Sequence, residues 1–267
     1  MTSKLTLCSW NVNGLGNKRG AGIGERGVRD GCISLTAWLD INSPSILAFQ
    51  ETLTKGNTAF KTTQGEYLEF HEPCDGFPHR SLSFAVHETV QSQITKSGKI
   101  GLDSLFAQYI TLNTESNNLI TIVNVYIPSG KLNRGSELHR SVKIFYNKLR
   151  IFVETAVSSG EMIVVFGDFN TKNARFGGND DSDLIKLDLE KNFQDLCLLE
   201  SMELPGPTWR RGNRSSYLDH VMVSRKDSTV SIHLGECLNG VGPRQYPDHR
   251  PVFVTQTRQL KTFLWAL

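Results

Sequence analysis

Short apolar runs separated by polar turns predict that much of this chain forms β-strands. The run Met162–Phe166 is continuous and rich in β-branched residues, which is typical of a strand buried on both faces. A polar turn at 114–118 separates two other runs and indicates a hairpin. The remaining strands are predicted at Lys4–Trp10, Ser45–Thr52, Arg80–His87, Leu105–Asn113 and Leu119–Ile127.

Apolar residues at three- and four-residue steps predict a few helices between these strands. The longest is Ser136–Ser158, and others are expected at Cys32–Ile41 and around Leu184–Asn192. The strands fall in two halves of similar length. We therefore expect an α/β (α+β) fold, a four-layer α/β-sandwich in which two mixed β-sheets pack face to face with helices outside. A single domain over residues 1–267 fits, because two-layer β-rich domains often reach about 250 residues.

Polar side chains follow several predicted strands at the point where each strand ends. Asn11 closes the first strand, Glu51 the second, and Asp168 and Asn170 follow the buried run. Residues two apart in an extended chain point the same way, so Asp168 and Asn170 should share one side and Phe169 the other. A carboxylate beside an amide suits proton transfer with transition-state hydrogen bonding. The alternative is that Gly-Asp-Phe-Asn is only a turn, since three of these residue types favour turns.

Later segments add candidates for the same site. Tyr126 ends a strand, where a phenol can donate to a phosphate oxygen or simply be half-buried. Asp219 is flanked by core residues, and a carboxylate there needs a partner. Asp248 and His249 precede the last apolar run, and histidine is the usual group for charge stabilisation or proton transfer near neutral pH.

A basic hairpin is predicted between residues 207 and 223. Its tip carries Arg210, Arg211 and Arg214, whose guanidinium groups suit bidentate phosphate contacts. A solvated basic turn explains the same pattern. The Gly- and Arg-rich segment 16–31 leaves the same two alternatives, a phosphate-contacting loop or a solvated connection.

Composition narrows the class of protein. Hydrophobic residues make up 39% and charged residues 21%, as in ordinary globular proteins, and the net charge is only +2. The five cysteines are odd in number and form no CxxC pair, which argues against a disulfide scaffold and a structural zinc site. The start of the sequence lacks the apolar core of a signal peptide, and no apolar stretch reaches membrane-spanning length. We expect an intracellular, nuclear protein that does not engage a membrane.

The candidate side chains together favour chemistry at phosphorus. Several carboxylates without cysteine make an oxygen-rich site for a hard cation such as Mg²⁺. A metal, a carboxylate base and an imidazole suit displacement at a phosphate, because the metal neutralises charge while the carboxylate activates water.

Six motifs in order resemble the endonuclease/exonuclease/phosphatase superfamily and span nearly the whole chain. They are Ser9–Leu15, Gln50–Thr52, Val125–Pro128, Gly167–Asn170, Tyr217–His220 and Pro247–His249. Within that superfamily the chain is most similar to the apurinic-type endonuclease domains of non-LTR (LINE-type) retrotransposons. The segments Phe166–Asn173 and Pro207–His220 carry this second resemblance.

The resemblance implies a role for each candidate. Glu51 would bind Mg²⁺, for which Mn²⁺ could substitute, with Asn11 nearby. Asp168 would activate the attacking water, and Asn170 would orient it. Asp219 would pair with His249 and hold that imidazole against the scissile phosphate.

The resemblance also implies roles at the phosphate and the DNA. Asp248 would assist at the metal or the phosphate, and Tyr126 and Thr208 would contact the phosphate. Duplex DNA would be the substrate, and the basic hairpin favours it over a small ligand. The product would be a nicked strand whose 3′-hydroxyl can prime reverse transcription.

One departure and two alternatives accompany this expectation. Asn13 stands where cellular apurinic endonucleases carry Asp, which agrees better with the retrotransposon group than with abasic-site repair. The sequence contains no reverse-transcriptase segment, so we expect a lone endonuclease domain, a fragment or a co-opted copy, with a reverse-transcriptase module outside this chain as a partner. The same fold also serves phosphatases and phosphodiesterases of small phosphoesters, and a catalytically decayed copy would only bind DNA.

Overall fold

The computed structural model describes residues 4–12, 35–52, 59–74, 81–114, 118–129, 136–171, 181–224, 230–235 and 248–257. Asn13 and the Gly- and Arg-rich segment 16–31 lie outside these ranges. Each described helix is too short or too polar to cross a membrane.

Fifteen strands and four helices form the described part of the chain. The first eight strands are β1 (Lys4–Asn11), β2 (Ile46–Gln50), β3 (Ala59–Thr62), β4 (Gly65–Glu72), β5 (Leu82–His87), β6 (Ile94–Leu102), β7 (Leu105–Asn113) and β8 (Leu119–Tyr126). The others are β9 (Met162–Asp168), β10 (Leu199–Ser201), β11 (Trp209–Arg211), β12 (Arg214–Ser216), β13 (Asp219–Ser224), β14 (Val230–Leu234) and β15 (Val252–Thr257). The helices are α1 (Leu35–Asn42), α2 (Glu88–Gln91), α3 (Glu137–Ser158) and α4 (Asp181–Asp195).

Two large mixed sheets carry most of these strands. One has seven strands in the order β14-β15-β1-β2-β5-β4-β3, and the other has six in the order β10-β13-β9-β8-β7-β6. Each contains one parallel pair, β1 with β2 and β8 with β9, and antiparallel neighbours elsewhere. The strands β11 and β12 form a separate two-stranded ribbon.

Three apolar layers hold the sandwich together. The middle layer lies between the sheets and includes Phe84, Ile122 and Phe166. A second layer packs α3 and α4 on the outer face of the six-stranded sheet, and a third packs α1 on the seven-stranded sheet. The order helix, sheet, sheet, helix confirms the predicted four-layer α/β-sandwich.

The strand register brings the predicted polar positions to one rim. Asp168 lies beside Tyr126 in the parallel neighbour and opposite Asp219 in the antiparallel one. On the facing sheet Asn11 pairs with Gln50, the residue before Glu51. The sheets therefore deliver carboxylates and amides to the same end of the sandwich.

Some predicted elements are wrong in detail. No strand was predicted between Ser45–Thr52 and Arg80–His87, but β3 and β4 lie there. The basic hairpin was expected to return as one strand through Val223. Instead β12 ends at Ser216, and β13 starts at Asp219 and joins the six-stranded sheet, because its apolar side chains are fully buried there.

Candidate active site

Asp168 lies at the centre of the rim and is fully buried. It ends β9 immediately after Gly167, whose φ of 142° is rare for any residue with a side chain. A Cβ at position 167 would come within 2.0 Å of the Val125 carbonyl oxygen. Glycine is therefore required where β9 passes this close to β8, and it fixes where the carboxylate of Asp168 begins.

Asn11 links the two sheets through its amide. Its Nδ2 donates to Oδ2 of Asp168 at 2.7 Å and to Oε1 of Glu51 at 2.9 Å. Glu51 has a left-handed backbone with φ of 55°, so the chain turns sharply where β2 ends. One amide group thus holds the predicted metal ligand and the predicted base side by side.

Asn170 folds back over Asp168 through a left-handed turn. Its φ is 47°, and its backbone N–H donates to Oδ1 of Asp168 at 2.7 Å. Its Nδ2 donates to Oδ2 of Asp168 at 3.1 Å and to the Ile127 carbonyl at 2.8 Å. Phe169 points into the core. The segment is a turn that also brings a carboxylate and an amide together, and the proton-transfer role drawn from the sequence stays a prediction.

His249 pairs with two carboxylates. Its Nδ1 lies 2.9 Å from Oδ2 of Asp219, and its Nε2 lies 3.8 Å from Oδ2 of Asp168. The His249 carbonyl accepts a hydrogen bond from the Trp10 indole at 3.0 Å. The imidazole is therefore fixed at its ring and its backbone, between the two sheets.

Burial and neighbouring charge set the protonation of this pair. Burial raises the pKa of Asp168 to about 7; the Asp219 charge adds to this rise, while His249 and the Asn11 hydrogen bond oppose it. Burial alone would lower the pKa of His249, but the carboxylates of Asp219 and Asp168 outweigh it and raise the pKa to about 10. Near neutral pH the imidazole is charged, and the carboxyl of Asp168 is close to its titration point.

Thr208 and Asp248 form hydrogen bonds with residues next to the rim. Thr208 is fully buried, and its hydroxyl oxygen accepts the backbone N–H groups of Leu218 and Asp219, both at 3.1 Å. Oδ2 of Asp248 accepts the Trp209 indole N–H at 2.8 Å. The proposed contacts of Thr208 and Asp248 with a phosphate or metal stay predictions, while their observed bonds hold the segments that carry Asp219 and His249.

The basic ribbon is tied to the same segment. The backbone N–H of Arg210 donates to the Asp248 carbonyl at 2.9 Å, and that of Arg250 donates to the Thr208 carbonyl at 2.6 Å. The side chains of Arg210, Arg211 and Arg214 are exposed. They therefore project from a ribbon whose base is bonded to both neighbours of His249.

Tyr126 is largely buried at the other side of Asp168. It is only 4% exposed and packs with Cys74, Leu82 and Phe106. Its ring is therefore held beside Asp168 and is more deeply buried than the half-buried tyrosine that the sequence left as an alternative.

Several supporting residues were not found from the sequence. Trp10 and Trp209 were expected to be core or strand residues. The hydrogen bonds that their indoles donate could not be inferred, because the acceptors lie 239 and 39 positions away along the chain. Gln50 is a further example, since its Nε2 donates to Oδ1 of Asn124 across the sheets at 2.6 Å. A buried amide in an otherwise apolar strand was the available signal.

The residues present fit a lightly coordinated cation. Within the described residues, no group of three or more His, Cys, Asp and Glu side chains is arranged to hold a metal ion. Glu51 and Asn11 instead offer one carboxylate and one amide beside Asp168. Mg²⁺ suits such a site, because it keeps several of its waters and binds one or two carboxylates.

Comparisons with known proteins identify a family and a fold. A family model described as endonuclease-reverse transcriptase matches residues 120–253, which is half of the chain and includes Tyr126, Asp168 and His249. None of the curated protein sequences gives a significant match.

Solved structures share the fold over nearly the full length. The APE2 catalytic domain of Xenopus laevis superposes with a TM-score of 0.63 at 15% identity, covering 96% of this chain and 94% of that one. The endonuclease domain of TRAS1, a telomere-specific non-LTR retrotransposon, gives 0.56 at 15% identity, with 95% and 98% covered. NExo from Neisseria, a 3′ phosphatase bound to product DNA hairpin, gives 0.59 at 17% identity, with 94% and 98% covered.

Proposed function

This chain belongs to the endonuclease-reverse transcriptase family, and from that membership we propose that it is a Mg²⁺-dependent endonuclease that nicks one strand of DNA. Proteins of this family and fold are hydrolytic nucleases or phosphodiesterases, and the chain is an enzyme of that class. We propose in addition that the enzyme requires a metal, cuts duplex DNA and leaves a 3′-hydroxyl that primes reverse transcription.

The geometry around Asp168 is the observation that carries the proposal. Oδ2 of Asp168 lies between the Asn170 amide and the ring of His249. A carboxyl with a pKa of about 7 can accept a proton from water at neutral pH. Asn170, fixed by its bonds to Asp168 and Ile127, orients that water. The charged ring of His249, backed by Asp219, faces the phosphate and stabilises the negative charge that develops on it.

Glu51 and Asn11 would hold the metal. When bound, Mg²⁺ supplies charge neutralisation at a phosphate oxygen, with Mn²⁺ as a substitute. Within the protein, the Asn11 amide N–H groups keep Glu51 and Asp168 from separating. Tyr126, Asp248 and Thr208 complete the phosphate side of the site in this proposal.

Duplex DNA is the proposed substrate because of the exposed arginines. Arg210, Arg211 and Arg214 project from a ribbon bonded to the segment of His249. Guanidinium groups bind backbone phosphates without reading the base sequence. We propose a role in target-site cleavage by a retrotransposon, in the nucleus, together with a reverse-transcriptase module outside this chain.

Nicking of supercoiled plasmid tests the function. We expect Mg²⁺-dependent conversion to open circles that EDTA stops. Asp168→Asn should lower the nicking rate by a factor of about 10² to 10⁴, because it removes the proton acceptor, while DNA affinity stays nearly unchanged. Asp188→Asn is the matched control, since Asp188 is an exposed carboxylate on α4.

Other results of the nicking assay would indicate a folding defect or a different function. Equal loss of nicking and DNA binding in Asp168→Asn would mean a folding defect. If the wild-type protein leaves plasmid intact but hydrolyses a soluble phosphomonoester, the enzyme is a small-molecule phosphatase of the same fold. Binding without hydrolysis of either substrate would indicate a catalytically decayed DNA-binding copy.

A further inference from the structure

His220 contacts the far side of the turn that carries Asn170. It follows Asp219 in β13 and pairs with Gly167 in the register, so its side chain points away from Asp219. Its Nε2 lies 3.0 Å from the Thr171 carbonyl oxygen. A carbonyl can only accept, so Nε2 carries the proton and donates. The ring also stands edge-on to Phe169, with centroids 5.7 Å apart.

The surroundings keep this imidazole neutral. His220 is 7% exposed, and Lys186 of α4, itself 3% exposed and paired with Glu190, lies near it. Burial first, and then the Lys186 charge, lower the pKa of His220 to about 3. His220 therefore does not exchange protons near neutral pH and acts as a fixed hydrogen-bond donor.

The His220 hydrogen bond lies beside a turn whose backbone has an unfavourable conformation. Asn170 is one of few described residues other than glycine with positive φ, a conformation that side chains disfavour. On its N-terminal side the turn is held by the bond from the Asn170 N–H to Asp168. On its C-terminal side the described contact is that of His220 with the Thr171 carbonyl. Loss of this bond would loosen the turn at Thr171, while the bond to the Ile127 carbonyl still holds the Asn170 side chain.

We propose that His220 is a positioning residue that, by donating to the Thr171 carbonyl, fixes the Asn170 turn and with it the amide and carboxylate that orient the attacking water. This inference rests on the proposed function. The His220 ring forms no hydrogen bond with Asn170 or Asp168 in the described part of the chain, so we expect it to act on them through the backbone of residues 169–171. Misplacing such groups slightly is costly, because reaction depends on close alignment.

Two substitutions separate the donor from the ring. His220→Phe keeps an aromatic ring against Phe169 and removes the N–H. His220→Gln places an amide nitrogen the same number of bonds from Cα as Nε2 and so can restore the donation. Tyr67→Phe is the control, because it removes another buried bond from a side chain to a carbonyl, that to Pro44 at 2.8 Å, far from the rim.

Plasmid nicking, DNA titration and thermal unfolding are then measured for each full-length variant. We expect His220→Phe to lower kcat by about 10- to 100-fold with KM changed less than about threefold. His220→Gln should recover most of kcat, and Tyr67→Phe should lose thermal stability while keeping kcat. A kcat for His220→Phe no lower than that of Tyr67→Phe, or no recovery with Gln, would overturn the positioning role.

A measurement on the wild-type protein tests the contact without any activity. Histidine ¹⁵N spectra should show the Nε2–H tautomer for His220, unchanged between about pH 5 and 9. A titrating ring or the other tautomer would overturn the contact, even if His220→Phe fails to fold. Wild-type protein that shows this spectrum but does not nick DNA would instead overturn the proposed function and the role that depends on it.

Discussion

At the scale of single residues, the rim is made by unusual backbone at the ends of strands. Glu51 and Asn170 are both left-handed, and Gly167 has a φ that other residues avoid. Such conformations cost about 1–3 kcal/mol each and persist where the surrounding structure enforces them. Here the enforcement is visible in the bonds of Asn11 to Glu51 and of Asn170 to Asp168.

Gly167 gives a prediction about stability at this scale. Gly167→Ala should lower the free energy of unfolding by roughly 3 kcal/mol or more, because its Cβ would overlap the Val125 carbonyl oxygen and its φ is unfavourable. Gly160→Ala is the control, since Gly160 also has positive φ, 82°, but a Cβ there meets nothing within 4 Å. That control should lose about 1–2 kcal/mol.

Urea unfolding of both variants measures the difference. The comparison isolates overlap from backbone preference, because both glycines have positive φ. Equal stability of the two variants would show that β8 and β9 can move apart next to Asp168, and that the close approach does not fix the carboxylate.

At the scale of elements, the strand ends were predictable and their supports were not. Apolar runs located β1, β2, β8 and β9, and polar residues at their ends then located Asn11, Glu51 and Asp168. The long helix was also predicted, and Ser136 caps α3 by accepting the His139 N–H. These features depend on local sequence, so the sequence suffices to find them.

Other elements were missed because edge positions and buried polar groups obscure the pattern. β6 carries Lys96, Lys99 and two glycines, which edge strands tolerate but which resemble a loop. β4 includes Glu69, a carboxylate only 1% exposed, which breaks the apolar alternation. The pairing of Trp209 with Asp248 depends on the fold as a whole and leaves no local signal.

The basic ribbon supports a prediction about DNA binding. Replacing Arg210, Arg211 and Arg214 with Gln should weaken binding and reduce the slope of log K against log salt by about 2 to 3, because each lost phosphate contact releases one counterion fewer. The charge-matched control replaces Lys61, Lys96 and Lys191 with Gln, because these exposed lysines lie on β3, β6 and α4 and not on the ribbon. Fluorescence anisotropy with labelled duplex at several salt concentrations measures both slopes. If the slope changes equally in the two triple variants, the ribbon does not contact the DNA phosphates.

At the scale of the whole molecule, the site exists only where the two sheets meet. Asn11 belongs to the seven-stranded sheet and Glu51 directly follows its strand β2, whereas Tyr126, Asp168 and Asp219 belong to the six-stranded sheet. The distance between metal ligand and base therefore depends on how the sheets are held. We propose that both sheets form one domain, in which the buried amides between them set this spacing as well as contributing stability.

The pair Gln50 and Asn124 tests that proposal. Nε2 of Gln50 donates to Oδ1 of Asn124 at 2.6 Å, and Nδ2 of Asn124 donates to the Phe49 and Ser83 carbonyls at 3.0 and 3.3 Å, all across the sheets. Changing either residue to Ala should cost roughly 2–4 kcal/mol, because it leaves a cavity and an unpaired partner. The double variant should show a coupling energy of about 1 kcal/mol or more, since the two residues share one bond.

Nicking rates show whether the Gln50–Asn124 pair sets the distance between the sheets or only adds stability. Thr111 and Thr121 are the control pair, because their hydroxyls bond at 2.8 Å within the six-stranded sheet and are equally buried. Under conditions where all variants are folded, Gln50→Ala and Asn124→Ala should nick more slowly than wild type, while Thr111→Ala should not. Since Gln50 directly precedes Glu51, loosening it moves the metal ligand relative to Asp168. Full activity in folded Asn124→Ala would mean that the Asn11 bonds to Glu51 and Asp168 alone hold the two sheets in register at the rim.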